Sequence, residues 1–411
     1  MNKVSIIGAG LAGCEAALQL ASHGFDVSLY DSKPQKLLET YKLPTYAELV
    51  CNNSMGSNNC HTPLGLLLQE LKSLGSIMIS IAEECLVNDP TFFAVDKIAF
   101  SNAVTSEMNH SNIKIINMHI SEIPKDDYVI ISTGPLTDKI LISNLAQKYN
   151  IEDYHFSDAS SPVVDICTVD ITNKNVKRIS EDLFAISIPI SSFRLFYDEL
   201  IKQAKKITFH DVDKAIFFEK CQSIEQIALL GQDELYLKRF NFDYFNTPTL
   251  LLRRETALKN GFLLVGCTTA LRQSSQLSVF SKLPGLERCR FIKYGRMHRN
   301  TFFNAPKLLN EYFQLRTFAN TFIIGQLSGV DGYTSAIASG FISAMRIIYG
   351  DLLPKLPQCT MIGGLTQYIS NSNNIDFQPM CASFSLMDCQ NNFWDDSACA
   401  IQAYSNYIKS L

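Results

Sequence analysis

Val4-Ser5-Ile6-Ile7-Gly8-Ala9-Gly10-Leu11-Ala12-Gly13 decides how the rest of the chain is read. A short β-branched run leads straight into Gly-x-Gly-x-x-Gly. Cys14-Glu15-Ala16-Ala17-Leu18-Gln19-Leu20-Ala21 then reads as a helix ending near Gly24, and Asp26-Val27-Ser28-Leu29-Tyr30-Asp31 as a second strand. The physics of a dinucleotide site assigns each glycine a task. Gly8 permits the tight turn. Gly10 lets a pyrophosphate approach the backbone of Ala9, Leu11 and Ala12. Gly13 lets the helix sit close to the strand, with the helix N-terminus facing the anion. Asp31 closes the second strand, where an acid binds ribose hydroxyls.

That fingerprint alone does not separate FAD from NAD. A second segment does more: Phe322-Ile323-Ile324-Gly325-Gln326-Leu327-Ser328-Gly329-Val330-Asp331-Gly332-Tyr333, followed by the small-residue helix start Thr334-Ser335-Ala336-Ile337-Ala338-Ser339-Gly340. Strand, glycine turn and helix start make a second anion site, placing Gly325, Gln326, Gly329, Gly332 and Tyr333 at the cofactor. A late segment of this kind points to FAD. It also predicts an α/β architecture with a discontinuous Rossmann-like FAD domain, residues 1–145 plus 290–411. Residues 146–289 then form a smaller α/β domain inserted on the substrate side.

Composition sets the bounds. Hydrophobic residues make up 46% of the 411 and charged residues 18%, enough for a large core. No apolar run of about 18 residues predicts a membrane span, and a strand that starts at once leaves no place for a signal peptide, so the expected compartment is the cytoplasm. The net charge of −4 gives no global attraction to nucleic acid. RNA would need a local basic patch, for which Arg288, Arg290, Lys293, Arg296 and Arg299 are candidates. The twelve cysteines include no Cys-x-x-Cys pair and no zinc-ligand spacing, so thiols are expected and no metal.

Longer words narrow the reading. Ala47-Glu48-Leu49-Val50-Cys51-Asn52-Asn53-Ser54, Ala94-Val95-Asp96, Ser132-Thr133-Gly134-Pro135-Leu136-Thr137, Phe217-Phe218-Glu219-Lys220-Cys221, Leu283-Pro284-Gly285-Leu286-Glu287, Tyr294-Gly295-Arg296-Met297-His298-Arg299-Asn300-Thr301-Phe302 and Phe377-Gln378-Pro379-Met380 occur in one order along the chain. In these the sequence resembles the TrmFO family of folate- and FAD-dependent uracil-5-methyltransferases, relatives of the GidA/MnmG flavoproteins. The resemblance implies methylenetetrahydrofolate as one-carbon donor, reduced FAD as electron source, NAD(P)H as external reductant and 5-methyluridine in RNA as product. The substrate it implies is the T-loop uridine of tRNA, with ribosomal RNA as the alternative.

The chemistry asks for thiols. C5 of uracil is a poor nucleophile until a thiolate adds to C6, and a base must then remove the C5 proton. The family's two functional cysteines match Cys221, taken as the nucleophile, and Cys51, taken as the acid/base partner. Turn residues after Cys51 and a helix-like stretch after Cys221 place each thiol near a helix start. The word around His298 puts it beside folate or flavin, and Arg299 suits a folate glutamate or an RNA phosphate.

Three positions depart from the family. Around the second cysteine the usual Gly-Cys-Met-Pro-Ile-Glu is Lys220-Cys221-Gln222-Ser223-Ile224-Glu225. Residues 233–253 lack the expected Gly-Pro-Met-Lys-Pro-Val-Gly-Leu. Lys97 replaces an arginine on the folate or substrate side, keeping charge but losing the planar fork. The departures suit a changed RNA target, or an FAD-containing RNA-binding protein that has lost methyl transfer. A thiol–disulfide flavin reductase would need a close cysteine pair, which the sequence does not contain.

Overall fold

Strand β1 (Lys3–Ile7) is buried from Val4 to Ile7 and pairs in parallel with both β2 (Asp26–Asp31) and β6 (Tyr128–Ile131). A parallel strand covered on both faces needs a continuous apolar run, and that is what the first residues supply. The computed structural model describes residues 2–35, 41–151, 154–159, 161–205, 222–242, 247–254, 260–295, 297–373, 377, 379–389 and 392–411; for 154–159 and 297–300 it describes the backbone alone.

Six strands form the first sheet, in the order β15 (Gln314–Leu315), β16 (Phe318–Ile323), β6, β1, β2 and β5 (Ile113–Asn117). All pairs are parallel except β15 with β16. Strands from the two ends of the chain thus lie side by side. Helix α1 (Leu11–Ser22) follows β1, and α11 (Tyr333–Tyr349) follows β16. Gly8, at φ +104°, makes the turn into α1. A Cβ on Gly13 would stand 2.0 Å from the Gly8 carbonyl oxygen, and one on Gly340 would stand 2.2 Å from that of Ala12. The second of these lets α11 lie directly on α1.

Helices α2 (Pro63–Leu74), α3 (Ile77–Glu84), α4 (Lys97–Glu107), α5 (Lys139–Tyr149), α10 (Ala305–Leu308), α12 (Met361–Ser370) and α13 (Phe393–Ser410) complete this body. Two buried carboxylates tie helix ends together. Glu15 of α1 accepts from Ser76 Oγ at 2.9 Å and the Met78 amide at 2.8 Å, at the start of α3. Glu70 of α2 accepts from the Met361 and Ile362 amides at 2.6 and 2.8 Å and from Ser397 Oγ at 2.5 Å. It joins α2 to α12 and α13. Beside this body, β3 (Ser54–Ser57) pairs with β4 (Phe92–Ala94).

The second sheet is antiparallel throughout: β13 (Phe291–Lys293), β8 (Val163–Asp165), β12 (Gly261–Leu264), β11 (Thr249–Arg254), β10 (Leu183–Ser187) and β9 (Val176–Arg178). Helices α6 (Ile190–Ala204), α7 (Ile224–Leu230), α8 (Gln232–Leu235) and α9 (Gln273–Phe280) accompany it. Phe184, Ile186, Leu250, Leu252, Phe262 and Leu264 share a core with residues of these helices. Leu183, Ala185 and Leu251 point the other way and form a separate small cluster with Phe92. The alternation follows from the two-residue period of a strand.

The two cores divide the chain further along than the boundaries expected at 145 and 290. Leu145, Tyr149 and Ile151 belong to the first core and Phe291 to the second. Strand β7 (Tyr154–Ala159) pairs antiparallel with β14 (Met297–Phe303), so the chain leaves and returns along one ribbon. No single described helix is long and apolar enough to cross a membrane; α2 and α3 reach that length only as a pair bent by 111°.

Burial pushes the Glu70 carboxyl up from 4.5 to about 7. The folded state therefore holds a proton that the unfolded state releases, and its stabilising effect is complete at low pH and lost as pH rises from 4.5 towards 7. Glu70→Gln, compared with the natural chain by denaturant unfolding across that range, should flatten the pH dependence by up to ~3 kcal/mol. Parallel curves would show that Glu70 does not titrate there.

Candidate functional site

A cavity of about 460 Å³ opens beyond the C-terminal ends of β1, β2 and β6, lined by Gly8, Ala9, Gly10, Asp31, Lys33 and Thr133 among others. This is where a parallel sheet of this kind binds ligands. Helix α1 starts on Gly10 with no side-chain cap, which leaves its first-turn amides for an anion. A Cβ on Gly10 would meet protein no nearer than 4.0 Å. The space there is thus not needed for packing, unlike that at Gly8 and Gly13. Asp31 Oδ2 accepts from the Ala9 amide at 2.8 Å and Oδ1 from the Lys33 amide at 2.8 Å, so the acid is aimed at the glycine turn. Uncapped helix, open Gly10 and aimed acid together fit a dinucleotide such as FAD.

The wall beyond Asp31 has a part that sequence reading missed. Lys33 pairs with Glu48 at 2.9 Å, both side chains 6% exposed, and donates to the Thr45 carbonyl at 2.9 Å. Its ammonium lies 4.1 Å from the Tyr41 ring centre. Glu48 stood inside a word that carried the resemblance, but nothing in the sequence joins it to Lys33.

The second glycine segment closes on the first. The turn Gly325–Ser328 begins with Gly325 at φ +67°, where a Cβ would be 3.3 Å from that of Ala12. The Gly325 amide donates to Ser339 Oγ at 2.8 Å, and Gln326 Nε2 to Asp331 at 3.1 Å. Gly329 lies under the Phe377 ring. Gly332, at φ +93°, precedes α11, again with no side-chain cap. Both α1 and α11 thus start, uncapped, from glycine turns that touch each other.

Tyr333 links this segment to Cys51. Its hydroxyl oxygen accepts from the amides of Cys51 at 2.7 Å and Asn52 at 3.3 Å. Thr334 Oγ1 donates to the Met55 carbonyl. Cys51 is exposed and sits in a bend before strand β3, not at the start of a helix as its neighbours suggested. The Asn-Asn-Ser turn leads into strand β3, and Tyr333 at the start of α11 reaches the Cys51 amide from across the fold. Burial pushes the thiols of Cys267 and Cys289 up to about 12 and that of Cys389 up to about 11, which makes them poor nucleophiles.

Cys221 and Arg296 lie outside the described residues, as do the side chains of His298 and Arg299. The backbone of the last two runs in β14, where the pairing is irregular between His298 and Thr301. The residues after Cys221 are firmly held. Ser223 caps α7, the Ile224 amide donates to the Thr268 carbonyl at 2.8 Å, and Glu225 accepts from the Ala270 amide at 2.6 Å. Lys97 is the buried first residue of α4, two positions beyond Val95, whose amide donates to the Asn53 carbonyl at 2.9 Å. In the basic patch, Arg290 is paired with Asp165 and Arg288 is exposed.

Residues 3–349 match the family described as glucose inhibited division protein A. The methylenetetrahydrofolate–tRNA-(uracil-5-)-methyltransferase TrmFO of Acetivibrio thermocellus is 36% identical over 94% of this chain and 92% of its own length. The protein of that name from Bacillus subtilis is 35% identical over 93% and 92%. Among solved structures, GidA of Aquifex aeolicus in its form II crystal superposes with a TM-score of 0.73 at 14% identity, over 100% of this chain and 74% of that one. This last is a likeness of fold.

Gly10→Ala separates ligand binding from folding. The added methyl has room in the protein, so the melting temperature should stay within a few degrees of that of the natural chain. It intrudes on the open space before the uncapped start of α1, so a diphosphate held there predicts that FAD affinity, titrated by flavin fluorescence, falls by about tenfold or more. Unchanged affinity would put the diphosphate elsewhere.

Proposed function

Since the chain belongs to the TrmFO family of methylenetetrahydrofolate–tRNA-(uracil-5-)-methyltransferases, we propose that it converts a uridine of tRNA to 5-methyluridine. Methylenetetrahydrofolate is the one-carbon donor, FAD the bound cofactor and NAD(P)H the reductant. The observation that carries the reading is the pinning of the exposed Cys51 to Tyr333, at the junction of both glycine turns. It supports a thiol beside the dinucleotide cleft.

The residues divide as follows. Gly8 to Gly13 and Asp31 would hold the diphosphate and ribose of FAD, and Gly325 to Tyr333 its far side. When bound, FAD supplies the electrons that take the transferred carbon from methylene to methyl. Cys221 adds as thiolate to C6 of the uracil, and the electron pair moves to C5, which attacks the folate methylene. Cys51 takes the C5 proton, the bond from the transferred carbon to the folate nitrogen breaks and tetrahydrofolate leaves, and once a hydride equivalent has made that carbon a methyl group, expulsion of the Cys221 thiolate restores the ring. Lys97, His298 and Arg299 are the candidates for holding folate and RNA. The body built on residues 163–293 is then the RNA side, and the cytoplasm is the compartment that a tRNA substrate implies.

Ribosomal RNA is the second target to weigh. It is favoured by the altered residues Lys220, Gln222 and Ser223, which stand where the family reads Gly, Met and Pro. A chain that binds RNA without methylating it is the outcome to exclude.

RNA containing 5-fluorouridine tests the roles. A fluorine at C5 cannot leave as a proton, so the covalent adduct accumulates. Cys221→Ala should abolish the adduct and Cys51→Ala should retain it, while both keep FAD. On ordinary RNA each should lose methylation by roughly 10²-fold or more. Undiminished trapping by Cys221→Ala would place the nucleophile elsewhere.

A further inference from the structure

Among the described residues, Arg253 is the largest side chain buried almost completely, 2% exposed. On β11 it follows the two-residue alternation of Leu251, so it points away from α6, α7 and α9 and towards the loop that leads into β4. There its guanidinium carbon stands 3.6 Å from the centre of the Phe92 ring and its Nε 3.2 Å from Asp89 Oδ2, whose side chain is fully buried. The contact with Asp89 is an ion pair without hydrogen-bond alignment, and Arg253 Nη2 has no partner among the described residues.

Both halves of this contact are firmly mounted. Asp89 Oδ1 accepts from the Thr91 and Phe92 amides, each at 2.9 Å, and Asn58 Nδ2 donates to the Asp89 carbonyl at 2.7 Å. Phe92 pairs with Ser57 across β3 and β4, three residues from the Ser54 that follows the Cys51 turn. From the other body, Ser180 Oγ donates to the Asn88 carbonyl at 2.9 Å and Arg254 pairs with Asp182 at 3.0 Å. Leu183, Ala185 and Leu251 meet Phe92 around the pair. Besides the β7–β14 ribbon, then, the second sheet touches the first body on the β3–β4 pair, whose first strand follows Cys51.

A buried ion pair is a poor way to gain stability. Desolvating two charges costs about what their attraction returns, and a leucine would pack the same apolar face without that cost. What a charged pair with a stacked ring gives is one defined posture, because slippage strands both charges in an apolar contact. We propose that Arg253 is a positioning residue for methyl transfer: its clamp on Asp89 and Phe92 holds the second body in register with the β3–β4 pair that follows Cys51. The assignment rests on the reading that the reaction needs groups from both bodies at one uridine.

Three variants test it: Arg253→Met, Asp89→Asn and Phe92→Leu, so that a failure of one to fold leaves the others. Each is assayed for FAD content, for kcat and KM on tRNA, and for hydrogen exchange at the Thr91 and Phe92 amides. The expected result is unchanged FAD content, faster exchange at those amides, and kcat lower by about ten- to a hundredfold with KM for tRNA little altered. Arg253→Lys should recover part of the rate, since it restores charge without the planar fork. Arg253→Met with natural kcat would overturn the assignment, whatever its exchange. A natural chain that methylates no RNA is a different failure: it overturns the methyl-transfer reading itself.

Discussion

The carbonyl oxygen of Ala12 occupies the place where a side chain at residue 340 would begin, and the architecture follows from that contact. With glycine there, α11 lies on α1, and β16 is delivered beside β6 in the sheet that β1 founded. Two helix starts, 322 residues apart in sequence (11 and 333), then sit together at one end of one sheet. Neither carries a side-chain cap. The second sheet is a consequence. With both ends of the chain committed to the first sheet, the middle can leave and return only side by side, which it does as the β7–β14 ribbon.

Buried carboxylates hold this arrangement in register. Glu15 and Glu70 each collect the start of a helix distant in sequence, and Glu225 does the same for the loop at Thr269 and Ala270. In each, desolvation raises the carboxyl pKa while amide donors work against the rise. The Arg253–Asp89 contact is of another kind. It joins the two bodies, leaves Arg253 Nη2 without a partner among the described residues and lies on the strand pair that follows the exposed thiol. An ion pair of that sort fixes position more than it stabilises.

Much of the first sheet was legible because its signals are local. Gly8 needs a positive φ, Gly13 a missing Cβ, and Asp31 a place at a strand end, all within 31 residues. The second glycine segment was legible for the same reason. The contacts that depend on pairing partners were not. Lys33 and Glu48 are both ordinary surface-type residues until the fold buries them together. Arg253 looked like part of an unrelated stretch, since a two-residue alternation tells which residues share a face and not what that face will meet. The sequence after Cys51 is legible as a turn but not as the entry to a strand, because Asn and Ser favour helix starts and strand entries alike. The β7–β14 pairing joins residues about 140 apart, which a local signal does not reveal.

The contact between α1 and α11 is open to direct test through Gly340→Ala. One added methyl would have to stand 2.2 Å from the Ala12 oxygen, so the helices must separate. The variant should lose about 1–3 kcal/mol of stability, and its affinity for FAD should fall in parallel because both uncapped helix starts move. Measured together by thermal unfolding and flavin titration, the two losses should coincide. A Gly340→Ala protein that binds FAD as tightly as the natural chain, at an unchanged melting temperature, would contradict the account.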